Sequence, residues 1–249
     1  MSAEYPVTAD AAGHSRRARR VFVSAMLVLT LVFAALGTWQ VQRLFWKLDL
    51  IARVDARVHA GPVPSPAQGE WGGISAEKDE YRHVTATGTF EHGKSVLVQA
   101  VTERGAGYWL LTPLLLSDSS VVLVNRGFLP EAGRNSAART ASEIVAGPVT
   151  VTGLLRISEP GGAFLRSNDP ANDRWYSRDV DAIARSKGFA PTAPYFIDAD
   201  ATPNPGGLPI GGLTVVQFRN SHLVYAATWY ALAIMTAAAL TILRRRRLI

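Results

Sequence analysis

The groups in this chain best suited to hold a ligand sit at the edges of two apolar runs. His222 opens the run NSHLVYAATWYALA, and His222, Tyr225, Ala226, Trp229 and Ala233 follow steps of three and four, which put an imidazole, two aromatic rings and two small gaps on one helical stripe. Near the end of the other run, Trp39, Arg43 and Trp46 share a face by the same spacing, with Gln40 among them. Imidazole is an axial ligand for haem iron, and a guanidinium grips a carboxylate with two parallel N–H donors, as a haem propionate would require. The stripe therefore fits either a flat apolar ligand or a second helix packed through the small residues. Tyr225 alone would suit an interfacial aromatic belt, but Trp229 lies ten residues from Arg219, roughly 15 Å along a helix, deeper than such belts reach.

Other stretches resemble chemistry without its context. Residues 88–95, GTFEHGKS, fit the phosphate-loop pattern letter for letter. The short β-branched VLVQAVT follows it, where a phosphate loop needs a helix, so EHGK reads as a hairpin turn. Asp169, Asn172 and Asp173 supply oxygen atoms but lack the central Gly and distal Glu of a calcium loop, and Asp-Pro and Asn-Asp are turn formers. The remaining histidines, at 14, 59, 83 and 92, stand singly; His83 and His92 could face each other across a hairpin. With no cysteine, disulfides, zinc thiolates and CxxCH haem attachment are excluded, and three methionines argue against thioether copper capture. No triad, paired carboxylates or metal motif supports an enzyme, so a non-enzymatic role is expected.

Two long segments must position the ligand stripe. Residues 21–42 run 22 residues without a charge, and 220–243 run 24 with His222 as the one group able to ionise near neutrality. Each can cross a bilayer. A cleaved signal peptide is the rival for the first, but the run exceeds an ordinary h-region and a second span accompanies it. Arginines 16, 17, 19 and 20 precede the first span and 244–247 follow the second, so the positive-inside rule places both termini in the cytoplasm. The net charge of +6 resides there: residues 44–218 hold 16 basic and 18 acidic side chains, which argues against a nucleic-acid surface.

The expected organisation is a basic tail (1–20), a first span (21–43), an extracytoplasmic β-rich domain (44–219), a second span (220–243) and a basic tail (244–249). Val84, Ala86, Gly88 and Phe90 alternate with threonines, and SVLVQAVT, YWLLTPLLL, SVVLVNRGFL and PVTVTGLLRI follow at short intervals. That predicts an antiparallel sheet or partly open barrel, an α+β integral membrane fold. One helix is expected at DVDAIARSK, capped by Asp179 and ended by Gly188. GPVPSPAQGEWGG, PEAGRNSAARTASE and TPNPGGLPIGG read as loops.

Four segments together, LGTWQVQRLFWKLDLI (36–51), VNRGFLP (124–130), NDPANDRWYSRDVDAIA (168–184) and NSHLVYAATWYALA (220–233), resemble the signature segments of the Surfeit locus protein 1 (Shy-type) family. The resemblance implies a bacterial inner-membrane assembly factor for aa3-type cytochrome c oxidase that binds or delivers haem a to the catalytic subunit. It places the family's proposed haem-ligating histidine on His222, and its W-Q-x-x-R segment on Trp39, Gln40 and Arg43. Under that reading Arg43 meets a propionate, and Tyr225, Trp229 and Trp39 line the porphyrin. Ser221 stands where the family has a second Asn and is expected to cap the helix. Phe128 and Leu129 replace a common Trp and Val, which keeps a sheet core. The alternative is a haem-free scaffold that grips oxidase subunits; an anchored extracytoplasmic enzyme ranks last.

Overall fold

The computed structural model describes residues 9–246 apart from 145, 164 and 217, with only the backbone of 9–15. His14 and, among the terminal charges, Glu4, Asp10 and Arg247 thus lie outside the described side chains. Two compact units are present, one formed by residues 1–52 and 217–249, the other by 53–216.

In the first unit, α1 (Ala9–Val58) is one unbroken helix that continues well past the apolar run, and α5 (His222–Arg245) is the second. Both are long and apolar enough to cross a membrane. Their apolar side chains are largely exposed, among them Val21, Leu31, Val224 and Ile234. The entry to α5 departs from expectation: Ser221 makes no side-chain cap, and Asn220 Oδ1 accepts the His222 N–H at 3.4 Å. Ser221 sits at φ −109°, ψ 7°, outside the extended geometry from which a serine oxygen reaches back to the first turn.

The second unit is built on a short β1 (Val63–Pro64), a one-turn α2 (Ala76–Asp79), β2 (His83–Phe90), β3 (Val96–Thr102), β4 (Gly105–Leu116), β5 (Val121–Pro130), α3 (Ala137–Ser142), β6 (Val149–Ile157), α4 (Val180–Lys187) and β7 (Thr192–Ala199). The sheet runs β1-β2-β6-β7-β5-β4-β3 with a further β2–β4 pairing, so five strands close into a barrel. The expected antiparallel sheet or partly open barrel is compatible with this architecture, which differs from it in two respects. The barrel closes, and β5 pairs with β7 in parallel, as β1 does with β2.

Closure rests on a strand that changes partners. β2 pairs with β6 from His83 to Gly88 and with the end of β4 from Gly88 to Phe90. A 3-10 turn at His92–Lys94 follows, and β3 then continues along the same edge of β4. EHGK is therefore a turn, but not one joining paired strands. His83 and His92 do not meet across a hairpin: His83 Nδ1 is 2.8 Å from the Ala60 carbonyl, and His92 Nδ1 faces Arg126. At the crossing point a Cβ on Gly88 would lie 2.3 Å from the Leu115 carbonyl oxygen, so only glycine fits.

The alternation in β2 buries Val84, Ala86 and Gly88, as its pattern predicts. β5 and β7 instead bury both faces. Val122, Val124, Tyr195 and Ile197 fill the barrel, while Leu123 and Phe196 pack with Val96, Val98, Trp175, Val180 and Ile183 beneath α4. The helix α4 forms as its sequence indicates, with Asp179 Oδ1 accepting the Ala182 N–H at 3.0 Å and Gly188 closing it at φ 71°. PEAGRNSAARTASE, expected as a loop, holds the six-residue α3, because Ser136 Oγ accepts the Arg139 N–H at 3.2 Å and caps a helix-favouring Ala-Ala-Arg run. Asp169–Asp173 is a turn: Asp169 accepts the Asn172 N–H, and Asp173 accepts from Trp175 Nε1 at 2.7 Å and pairs with Lys187 at 3.0 Å.

Gly127, at φ 130°, holds β5 against the segment after β7: Phe128 and Ile210 exchange backbone hydrogen bonds of 2.8 and 2.9 Å, and an added Cβ would come within 2.2 Å of the Ile210 oxygen. Gly127→Ala is expected to lower unfolding stability by about 2–4 kcal/mol, through strain and a lost backbone pair. Urea titration followed by tryptophan fluorescence checks this; a variant within about 0.5 kcal/mol of wild type would show that the close approach is not required.

Candidate functional site

The ligand stripe belongs to the first unit, where α1 and α5 pack antiparallel. Phe33 stacks on Trp229 (5.8 Å between centroids, 28° between planes), Thr30 and Thr236 share a hydrogen bond of 2.8 Å, and Tyr230 reaches Thr38 at 3.0 Å. Thr38 already donates to the Ala34 carbonyl, so the Tyr230 hydroxyl is the donor in that pair. The less exposed positions of α1 include 23, 26, 30, 33, 37, 40 and 44, and those of α5 include 222, 226, 229, 233, 236, 240 and 243. Both sets alternate steps of three and four, the repeat of a left-handed helix pair. Gly37 sets the approach: a Cβ there would lie 2.9 Å from the Tyr230 ring.

Within this seam His222 Nδ1 is 2.8 Å from Gln40 Oε1, and Gln40 is only 9% exposed. An amide oxygen can only accept, so Nδ1 is the donor in this pair, and in the neutral ring the lone pair then lies on Nε2. Histidines that bind metals are held in this way, the second nitrogen fixing tautomer and ring orientation.

The expected site residues divide by flank. Trp229 is inside the seam against Phe33. Trp39 and Tyr225 are half-exposed, at 51% and 54%, and Arg43 lies exposed with its guanidinium 4.7 Å over the Trp46 ring. The group found beside His222 is thus Gln40, while Arg43 contacts Trp46. Arg43 directly precedes Leu44, as Tyr225 directly precedes Ala226, and residues at that position of the repeat fall on one flank of an antiparallel pair. Trp39 precedes Arg43 by four residues on the same side; Tyr230 and Thr38 mark the other flank. A flat macrocycle does not fit between the helices at Gly37 and Phe33. By the repeat, Trp39, Arg43 and Tyr225 fall on the flank nearer His222, the side on which such a group could meet the imidazole.

Gln40, named in the sequence beside Trp39 and Arg43 but given no ligand role there, is the residue that meets His222. Its signal was present, because Phe33, Gly37, Gln40 and Leu44 step by four, three and four and so share the stripe facing α5.

The second unit holds a different cluster. Asp198, 3% exposed, accepts from Asn125 (2.7 Å), Arg156 (2.9 Å), Arg178 (3.2 Å) and Thr214 (3.0 Å). Arg156 also pairs with Glu80 at 3.0 Å, and Arg178 with Glu159 at 2.6 Å. Burial alone would pull the Arg156 guanidinium down, but Asp198, Tyr81 and Glu80 together hold it above its ordinary value. Asn125, Arg156, Arg178, Asp198 and Thr214 line a cleft of about 580 Å³ together with Trp109 and Val215. Among the described residues no group of three or more His, Asp or Glu could hold a metal ion.

The family model described as the SURF1 family matches residues 27–234, from within α1 to within α5. The chain belongs to the SURF1 family. Among its relatives, Surfeit locus protein 1 of Rattus norvegicus is 39% identical over 81% of this chain and 69% of its own length. That of Homo sapiens is 37% identical over 85% of this chain and 74% of its own. A SURF1-like protein of Monosiga brevicollis is 37% identical over 89% and 87%.

The chain's lack of cysteine permits a direct check of the helix register. A Thr30→Cys/Thr236→Cys variant is expected to cross-link within the chain under mild oxidation, seen as a reductant-sensitive shift on a denaturing gel. Trp39→Cys/Thr236→Cys is expected not to. Equal cross-linking of both would contradict the seam.

Proposed function

We propose that this protein is a membrane-anchored assembly factor for an aa3-type cytochrome c oxidase, and that its helix pair holds haem a as cargo for the oxidase's catalytic subunit. Family membership and the four signature segments support the class of function. The exposed apolar surfaces of α1 and α5 support insertion, since such surfaces on two helices are costly in water and ordinary in lipid. The arginines at 16, 17, 19 and 20 and at 244–247 support a topology with both ends on the cytoplasmic face of a bacterial inner membrane and the β-rich domain outside.

The observation that carries the haem reading is the His222 Nδ1–Gln40 Oε1 hydrogen bond. It presents Nε2 as a donor to iron in a fixed orientation, and gives a buried glutamine a purpose that packing alone does not supply. Arg43 would pair with a propionate, and Trp39 and Tyr225 would cover the macrocycle on the open flank. Haem supplies the iron centre that the oxidase requires; the protein's part is to ligate, orient and shield it. This role needs no catalysis by the chain.

A haem-free scaffold is the second reading, favoured by the same exposed aromatics. Trp39, Trp46 and Tyr225 fall on one flank and suit a partner helix as well as a porphyrin.

Absorption spectra of the protein made in a haem a-producing host and purified in mild detergent separate the two. Wild type is expected to show a Soret band and His222→Ala to lose it. Gln40→Leu is expected to weaken haem affinity by about 10–100-fold while leaving the helices folded. A colourless wild type that still co-purifies with oxidase subunits would leave the scaffold standing and remove haem carriage; a full band in His222→Ala would remove His222 as ligand.

A further inference from the structure

Arg126, in the middle of β5, is 3% exposed. Among the described residues its guanidinium has no carboxylate at ion-pair distance. Nη2 donates to the Ser142 carbonyl and to Asn204 Oδ1, both at 2.9 Å, Nη1 stands 3.4 Å from His92 Nδ1, and the group lies 4.9 Å over the Phe90 ring. Glu143, the acid whose field reaches it, is engaged with Arg139 at 3.1 Å. Burial pushes the guanidinium down to about 10, and Glu143 offsets this only in part. Arg156 and Arg178, also largely buried, each contact two or more carboxylates. A buried cation surrounded by neutral acceptors is costly unless a counter-charge arrives from elsewhere.

Arg126 also forms part of the wall of a cavity of about 200 Å³, with Val124, Val149, Val151 and Asn204. Among the described residues no acceptor meets its Nε or the second Nη1 hydrogen, so donor capacity remains. Asp200 lines the same cavity and accepts the Thr202 N–H at 2.9 Å. Its charge disfavours a second anionic group at that end. The volume is below the roughly 300–1,000 Å³ of ordinary ligand sites, which limits the occupant to a small acid or a single terminal residue.

We propose that this cavity binds a small monocarboxylate with a short apolar body, its carboxylate on Arg126 and its carbons against Val149 and Val151. The same chemistry is offered by a free short-chain acid and by the C-terminal residue of a polypeptide. The site is independent of haem: it is built entirely from residues 90–205 of the barrel unit.

Calorimetric titration of the full chain in neutral detergent tests it, with hexanoate standing for the free acid and N-acetylvaline for a polypeptide end. Saturable binding of one or both is expected, at least tenfold tighter than hexanamide, which lacks the charge, and adipate, which carries a second one. The tighter of the two acids identifies the source. Arg126→Gln is expected to lose at least tenfold in affinity. Thr202→Trp, at an exposed lining position, is expected to block binding while leaving Arg126 and the thermal melt unchanged. Failure of both acids to saturate, binding of adipate or hexanamide as tight as the acids, or wild-type affinity in the two variants would overturn the proposal.

Discussion

A single carboxylate organises the barrel unit. Asp198 receives hydrogen bonds from Asn125 on β5, Arg156 on β6, Arg178 ahead of α4 and Thr214 after β7, four segments far apart in sequence. An isolated buried carboxylate is penalised by several kcal/mol, and four donors, two of them cationic, offset that penalty only if all arrive together. The cluster therefore acts as a geometric condition more than as a source of net stability. Arg156 extends it to Glu80 and Arg178 to Glu159, while the guanidiniums lie over Tyr81 and Phe196 at 4.9 and 4.8 Å. Strand order, the approach to α4 and the path of the chain near residue 214 are tied to one oxygen pair.

The helix pair depends on a different constraint, the absence of a side chain. At Gly37 the backbone of α1 admits the Tyr230 ring, and that contact sets how closely the helices run. The tyrosine hydroxyl bonds Thr38, Thr30 meets Thr236, and Phe33 stacks on Trp229, so three further interactions fix one register. His222 and Gln40 fall opposite each other as a consequence of that register. An imidazole at the start of an apolar helix would otherwise turn freely toward water. Held at Nδ1 by Gln40, the ring is fixed in orientation, which is what the proposed ligand role requires.

Local features were legible in the sequence because local physics decides them. The alternation of β2, the Asp179 cap, the Gly188 stop and the turn at Asp169 each depend on residues within a few positions. Barrel closure was not legible, since it requires β2 to exchange β6 for β4 at Gly88, a pairing across 28 residues that periodicity does not encode. The small helix after Ser136 was hidden by a composition that also suits a loop. For the ligand stripe, residue type drew attention to Arg43 and away from Gln40. The three-and-four spacing that includes Gln40 with Phe33 and Gly37 is the better guide to what faces a partner helix, because angular position decides contact before chemistry does.

The two proposed ligand groups share a property that the largest polar cluster lacks. Arg156, Arg178 and Asp198 saturate one another, so a ligand entering their cleft would have to break ion pairs already formed in a dry setting. His222 uses one nitrogen on Gln40 and has the other to spare. Arg126 uses Nη2 on two neutral oxygens and retains both its charge and further N–H donors beside a cavity. Unused bonding capacity held in place by rigid neighbours makes a group ready to bind, whereas the mere gathering of charged residues makes a brace. The chain thus places its brace in the Asp198 cluster and its open valences elsewhere, one in the helix pair and one in the wall of the barrel.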